Sequence, residues 1–414
     1  MYLKNYIPFI VSLFFMMECQ PKKEVDSPDV PEISADEKLR DHADSLAHAF
    51  IITDGHVDLP YRLQKINFDP EKDKNISMSS RKGDFDYERA KLGGLDAPFM
   101  SIYIPSTYQV TGGARELADR LINMVQGIIQ AHPDKFGEGK SPEQVEQNFR
   151  KGLISLPLGL ENGAPLGSDL ANIQYFFDRG IRYITLTHGK DNLICDSSYD
   201  TTRTWNGLSP FGKKVVKEMN RVGIMVDVSH VSDNSFYQVM EISTVPVIAS
   251  HSSCRHFTPG WERNMSDDMI KKLAEKGGVI QINIGSSFLN RDIKNNRKTF
   301  EDTLKARSLD EASPEASQVV EEFRQKNLSL FANIDHVADH IDRVVEIAGI
   351  DHVGIGTDFD GVGDSLPEGL KDVSQYPNLI YTLLKRGYSD EDIEKICYKN
   401  VWRVWNKVLA ASAR

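Results

Sequence analysis

Short apolar runs recur along this chain, separated by amphipathic stretches, and that alternation restricts it to a parallel sheet covered by helices. Eight runs are strand candidates: Ala49 to Asp54, Pro98 to Ile104, Leu153 to Leu160, Arg182 to Thr187, Ile224 to Ser229, Val245 to Ser250, Gly278 to Ile284 and His352 to Thr357. Helical patterns lie between them, among them Ala114 to Ala131, Pro210 to Val222, Asp267 to Lys276 and Ile334 to Ala348, and two more follow Pro367. Eight strands alternating with helices predict an α/β fold of the (β/α)8 TIM-barrel type, in one domain spanning 38–414. An open doubly wound sheet is the alternative. It would need a Gly-rich phosphate turn after its first strand, and FIITDGHVDLP at 50–60 contains none.

The residues on which these runs end narrow the chemistry. The first ends in His56 and Asp58, the third in Glu161, the fourth in His188, the fifth in His230, the sixth in His251 and the eighth in Asp358. Residues i and i+2 of an extended segment project to the same side, so His56 and Asp58 converge. In a barrel all these ends surround one rim, where the active sites of this fold sit. Any one of these residues alone could be a satisfied histidine or a turn carboxylate, but six strands bring seven ligand-type groups to one mouth. His42, His48, His132, His256, His336, His340 and His352 fall outside such ends and read as surface or structural residues. Imidazole and carboxylate without thiolate suit zinc or a similar divalent ion. The inventory is enough for two ions, about 3.5–4 Å apart, with Glu161 the natural bridge. Such a site lowers the pKa of water to about 7 and polarises a carbonyl, so the reaction class is hydrolysis.

The net charge of -11, with no Lys/Arg-rich run, argues against nucleic acid and against adhesion to anionic lipid, and leaves a small molecule as the partner. Cys19, Cys195, Cys254 and Cys397 form no Cys-x-x-Cys pair, so neither a thiolate zinc site nor a structural disulfide is expected. Residues 1–19 carry Lys4, the apolar run Ile7 to Met17 and then Glu18-Cys19, the layout of a secretory signal too short to span a bilayer. Cys19 resembles the lipidated cysteine of bacterial lipoproteins, although Glu18 stands where a small residue is usual. The expectation is an exported envelope protein that meets the membrane only through a lipid on Cys19. Residues 20–37, with Pro21, Pro28 and Pro31, read as a flexible tether, and the folded domain is expected from Lys38.

Ordered motifs cover nearly the whole folded part: GHVDLP at 55–60, GLENG at 159–163, LTH at 186–188, GLSPFGKKVVKEMNRVGIMVDVSHVS at 207–232, ASHSSCR at 249–255, RNMSDD at 263–268, GIGTDFDGV at 354–362 and KNVWRVW at 399–405. From Asp54 to Lys407 the chain resembles the membrane (renal) dipeptidase family of zinc peptidases. The resemblance implies a (β/α)8 barrel that hydrolyses dipeptides through a hydroxide bridging two Zn2+. It implies His56, Asp58 and Glu161 at one zinc, and Glu161, His230 and His251 at the other. His188 would contact the substrate and stabilise the oxyanion. Arg263 would pair with the free C-terminal carboxylate. Asp358, with Asp360 as its rival, would take a proton from the bridging water and pass it to the leaving amine.

Three departures from the animal members stand out. INIGSS at 282–287 lacks the aromatic residue expected beside the substrate. Gly189 follows His188 where a cysteine would form a family disulfide. The charged excursion 288–333 is a surface elaboration, a lid or a homodimer contact. Two other functions fit the same residues: a metal hydrolase of this barrel acting on a cyclic amide or an acylated amino acid, and a lipid-anchored protein that only binds peptides or zinc.

Overall fold

The computed structural model describes Met1 and residues 34–69, 82–311 and 313–412. The signal segment, Cys19 and tether residues 20–33 lie outside the described residues. Eight parallel strands close into a barrel: β1 (Ile52–Val57), β2 (Leu95–Tyr103), β3 (Leu158–Glu161), β4 (Ile181–Thr185), β5 (Met225–Asp227), β6 (Ile248–Ser252), β7 (Val279–Ile282) and β8 (Val353–Ile355). Each pairs with its sequence neighbours, and β8 closes on β1 through Asp54 and Ile355. The barrel read from the sequence is therefore present, with shifted boundaries.

Two shifts have clear causes. The run Leu153 to Leu160 is two strands, because Pro157 offers no N–H to continue one ladder. Ile154–Leu156 pairs outside the barrel with Phe136–Glu138, and only Leu158–Glu161 enters it. The first described helix opens just ahead of Lys38. Ser34 caps the helix Ala35–Ala49, accepting from the Glu37 N–H while the Glu37 carboxylate returns to the Ser34 N–H. That capping box satisfies two end donors and pulls the last tether residues into the fold.

The helix Pro210–Val222 shows how the motif residues build the outer layer. Ser209 accepts from the Gly212 N–H, Pro210 presets the first turn, and Gly223 at φ 95° ends the helix. Its apolar stripe, Val215, Val216, Met219 and Val222, faces the barrel. The SPFG motif is thus a helix start. Cys195, Cys254 and Cys397 are buried and free. Among the described residues no helix is long and apolar enough to cross a membrane.

The lower mouth of the barrel is sealed by the final helix Asn400–Ala411. Trp405 is fully buried against Phe99, with ring centroids 5.1 Å apart, and Trp402 donates to Thr53 Oγ1 at 3.0 Å. Residues 288–333 fold into two main helices, Arg291–Ala306 and Ala316–Gln325, around a separate small core of Phe300, Leu304, Val319, Phe323 and Leu330. Buried His340 pins their base: its Nδ1 accepts from the Cys254 N–H at 2.9 Å, and its Nε2 donates to the Leu289 carbonyl at 3.0 Å.

Two outcomes follow from this packing. Trp405→Ala removes the plug and is expected to cost about 3–5 kcal/mol, read as a lower urea midpoint for the metal-free protein. Burial pushes the pKa of His340 down to about 4. Since the folded value lies below the unfolded value of about 6.5, the unfolded chain takes up the proton first. The contribution of neutral His340 is therefore full above about pH 6.5 and lost as pH falls toward 4, about 3 kcal/mol in all. Urea unfolding across this range should show a slope shallower by that amount in His340→Gln than in the wild type; equal slopes would refute the assignment.

Candidate metal centre

The upper rim is built at the strand ends. β1 carries His56, and Asp58 opens the following helix Leu59–Lys65. Glu161 is the last residue of β3, while His188, His230 and Asp358 follow β4, β5 and β8. His251 lies within β6. Four residues at this rim hold left-handed backbone angles without being glycine: Asn162 (φ 76°), His230 (φ 68°), Asp358 (φ 64°) and Asp360 (φ 66°). Such angles cost about 1 kcal/mol or more each and persist where neighbours enforce them, as is common at functional sites.

Glu161 is the centre of the arrangement. Its Oε1 lies 3.2 Å from His230 Nε2, 3.5 Å from His251 Nε2 and 3.7 Å from His188 Nε2. Its Oε2 lies 3.3 Å from His56 Nε2, which is 3.4 Å from Asp58 Oδ2. Three sets, His56/Glu161/His251, Glu161/His188/His230 and His56/Asp58/Asp358, each bring their ligand atoms within 4.8 Å of one another. Burial alone would raise the pKa of Glu161, but the surrounding imidazoles hold it well below the usual carboxylate range. Burial likewise pushes His230 and His251 well below the ordinary histidine value, with Arg263 adding to it. Burial would lower His56 too, yet Tyr183, Glu161 and Asp58 outweigh it and raise His56 well above.

Hydrogen bonds fix the tautomers of two of these rings. Tyr183 donates its hydroxyl to the Gly55 carbonyl at 3.0 Å, so it accepts from His56 Nδ1–H at 2.8 Å. Ser250 donates to Asp227 Oδ2 at 2.6 Å, so it accepts from His251 Nδ1–H at 2.8 Å. Both rings therefore turn Nε2 to Glu161: on His251, whose pKa is lowered, it offers a lone pair, whereas the carboxylates beside His56 favour a proton there that a bound cation would replace. Arg263 Nη2, which can only donate, lies 3.0 Å from His230 Nε2, so that nitrogen is also a lone pair, only 2.8 Å from His251 Nε2. Bare lone pairs at that separation, next to a carboxylate, repel unless a cation lies among them. His56 Nε2 and Asp58 Oδ1 are moreover buried without a hydrogen-bond partner among the described residues. The donor set of imidazole and carboxylate thus fits borderline divalent ions such as zinc.

Two predicted residues take different surroundings from those the sequence suggests. Arg263 is buried behind the site, donating to Ser252 Oγ (2.9 Å) and the His251 carbonyl (2.8 Å), with Phe288 stacked over it at 5.2 Å. Its Nε–H has no partner among the described residues. Asp360, the rival of Asp358, turns away to pair with Arg62 at 3.1 Å and to accept from the Asp84 N–H at 2.6 Å. Asp358 faces the site, one oxygen held by Asn283 Nδ2 at 2.8 Å. Burial, reinforced by Asp58 and Glu161 against His56 and Arg263, raises its pKa well above the usual range.

Sequence reasoning left β2 and β7 without a site residue, and both supply one. Ser101 of β2 donates to Glu161 Oε2 at 3.2 Å, and Asn283, just past β7, is the partner of Asp358. A polar residue ending an apolar run was the available signal for Asn283. The aromatic absent from INIGSS is replaced by Phe288, which lines a cavity of about 370 Å3 together with Tyr61, Tyr103, Tyr199, His188 and Val362. Arg297 and Glu301 of the excursion complete one wall of it. A larger groove of about 640 Å3, lined by Val110, Leu193 and Trp205, lies between neighbouring loops, but none of the metal-ligand groups faces it.

A closed (β/α)8 barrel whose rim gathers imidazoles around a buried glutamate defines a metal-dependent hydrolase. The chain belongs to the membrane dipeptidase family, Peptidase family M19, which matches residues 40–414. It is 31% identical over 368 residues to an uncharacterized dipeptidase of Schizosaccharomyces pombe, covering 86% of this chain and 80% of that protein. Its fold is similar to the probable dipeptidase PvdM from Pseudomonas aeruginosa (TM-score 0.77, 26% identity, 91% of this chain and 99% of the other). It is also similar to a metallo peptidase from Rhodobacter sphaeroides liganded with a phosphinate mimic of L-Ala-D-Ala (TM-score 0.72, 23% identity, 87% and 99%). The chain is accordingly a hydrolase acting on dipeptides.

Proposed function

We propose that this enzyme cleaves unblocked dipeptides with two zinc ions bridged by Glu161. The observation that carries the proposal is the division of the Glu161 oxygens. Oε2 faces His56, with Asp58 beyond it, whereas Oε1 faces His230 and His251. One ion would be held by His56, Asp58 and Glu161, the other by Glu161, His230 and His251. When bound, the pair supplies a water acidic enough to attack at neutral pH and polarises the scissile carbonyl.

The protein groups perform the rest. Asp358 takes the proton of the attacking water and delivers it to the leaving amine, and Asn283 holds the carboxylate in position for both transfers. Burial lowers the pKa of His188, so its ring is neutral. The Tyr103 hydroxyl, 3.5 Å from Nδ1, can donate there and leave the proton on Nε2 to meet the developing oxyanion. Arg263 binds the substrate carboxylate through N–H groups that its present contacts leave uncommitted, the buried Nε–H among them. In the cell the enzyme is held at the envelope by a lipid on Cys19.

The test is metal content of residues 34–414 alongside hydrolysis of L,L and L,D dipeptides, before and after chelation. Two zinc per chain and chelator-sensitive cleavage of free dipeptides, with C-terminally amidated and N-acylated analogues refused, is the expected result. Two ions without dipeptide cleavage would move the activity to another amide. Arg263→Ala should raise KM for dipeptides roughly 10–100-fold, the value of a charge-assisted pair, with a smaller effect on kcat. Glu161→Gln should weaken both ions; loss of only one would contradict the bridge.

A further inference from the structure

Behind the ligands lie two hydroxyl relays that the reaction itself does not use. His251 Nδ1–H is held by Ser250 Oγ at 2.8 Å, which in turn donates to the buried Asp227 carboxylate at 2.6 Å. His56 Nδ1–H is held by the Tyr183 hydroxyl at 2.8 Å, which donates to the Gly55 carbonyl at 3.0 Å. Tyr183, Ser250 and Asp227 are all fully buried. The backbone makes room for both. A Cβ at Gly159 would overlap the Tyr183 ring, and a Cβ at either Gly55 or Gly356 would overlap the Ser250 carbonyl. Asp227 is pinned as well, by the Ser229 and Ser250 N–H groups at 3.0 and 2.8 Å and by the Thr185 hydroxyl. The relays differ in one respect: the His251 relay ends on a carboxylate, the His56 relay on a neutral carbonyl.

We propose that Ser250 and Tyr183 are positioning residues that serve the two cation positions separately. Ser250 with Asp227 orients His251 for the ion shared with His230, and Tyr183 orients His56 for the ion shared with Asp58. The inference rests on the two-ion reading above. Each relay holds its ring in one orientation with a proton on Nδ1, so that Nε2 is turned to the ion's place before the ion arrives. Without the relay the proton can move to Nε2 and the ring can turn. Groups in this position typically alter metal affinity about 10–100-fold. Among the described residues His230 has no such device, since its Nδ1 is buried without a partner there.

The test uses the purified chain loaded with Zn2+ or Co2+ and titrated against a competing chelator, with dipeptide turnover left out of the readout. Wild type should hold two ions. Ser250→Ala should hold one tightly and the other about 10–100-fold more weakly. Tyr183→Phe should do the same for the opposite ion. The single-ion Co2+ forms should then differ in their visible bands, because Ser250→Ala leaves the position with one imidazole and two carboxylates, and Tyr183→Phe leaves the position with two imidazoles. Ser250→Thr, which keeps a hydroxyl, should recover the second ion, and equal melting of the metal-free proteins shows that folding is intact. Unchanged affinity in both variants, or loss of both ions from either correctly folded one, would overturn the proposal. A wild type that holds one ion would instead reject the two-ion reading and, with it, this division of labour.

Discussion

A single buried carboxylate sets the terms for the rest of this protein. Glu161 sits where Nε2 atoms of four histidines, from four different strand ends, come within 3.2–3.7 Å of its two oxygens. A carboxylate removed from water is costly unless opposite charge and hydrogen bonds surround it. Among the described residues, Ser101 supplies a hydroxyl donor to it. The remaining stabilisation must come from positive charge at the imidazoles or beyond them. Two of the rings already donate their Nδ1 protons elsewhere, and cations held among the Nε2 atoms would complete it. The barrel brings those groups together because its strand ends all face one side, and the closed sheet leaves no edge along which they could drift apart.

Closure places a second demand on the chain, at the level just below the rim. Two buried aspartates answer it with the same device. Asp54 accepts from the His56 and Thr357 N–H groups and from the Thr357 and Tyr376 hydroxyls, which ties β1 to β8. Asp227 accepts from the Ser229 and Ser250 N–H groups and from the Ser250 and Thr185 hydroxyls, which ties β5 to β6 and β4. Each lies just before a metal-ligand candidate, so one carboxylate both staples neighbouring strands and aims the backbone that follows. This polar layer separates the apolar plug around Trp405 from the site above it.

Much of this was legible in the sequence because it depends on periodicity. Eight apolar runs, six of them ending in ligand-type residues, predicted a barrel with a charged rim, and His56, Asp58, Glu161, His188, His230, His251 and Asp358 do converge there. What stayed hidden depends on contacts across the barrel. Tyr183 looks like one more apolar strand residue until Gly159, on the adjacent strand, is seen to vacate the space its ring fills. Asn283 and Ser101 carry no motif of their own; each matters because of the carboxylate it meets from another strand. Arg263 was found by its motif, but its burial behind Phe288 and His230 follows from loop packing that no local pattern encodes.

The strained backbone at the rim connects these levels. His230 and Asp358 both occupy left-handed angles that their side chains disfavour, and each directly extends a stretch clasped by a buried aspartate. Relaxing either residue would swing its side chain out of the site. Asp227 holds the Ser229 N–H immediately before His230, and Asp54 holds the Thr357 N–H immediately before Asp358, so relaxation would also break a bond to a buried carboxylate. Losing such a bond costs about 1–3 kcal/mol, comparable to the strain itself. The strain therefore persists because the staple beneath it would have to open first. Strand closure, the direction of the rim side chains and the position of Asp358 are in this way held by the same two aspartates.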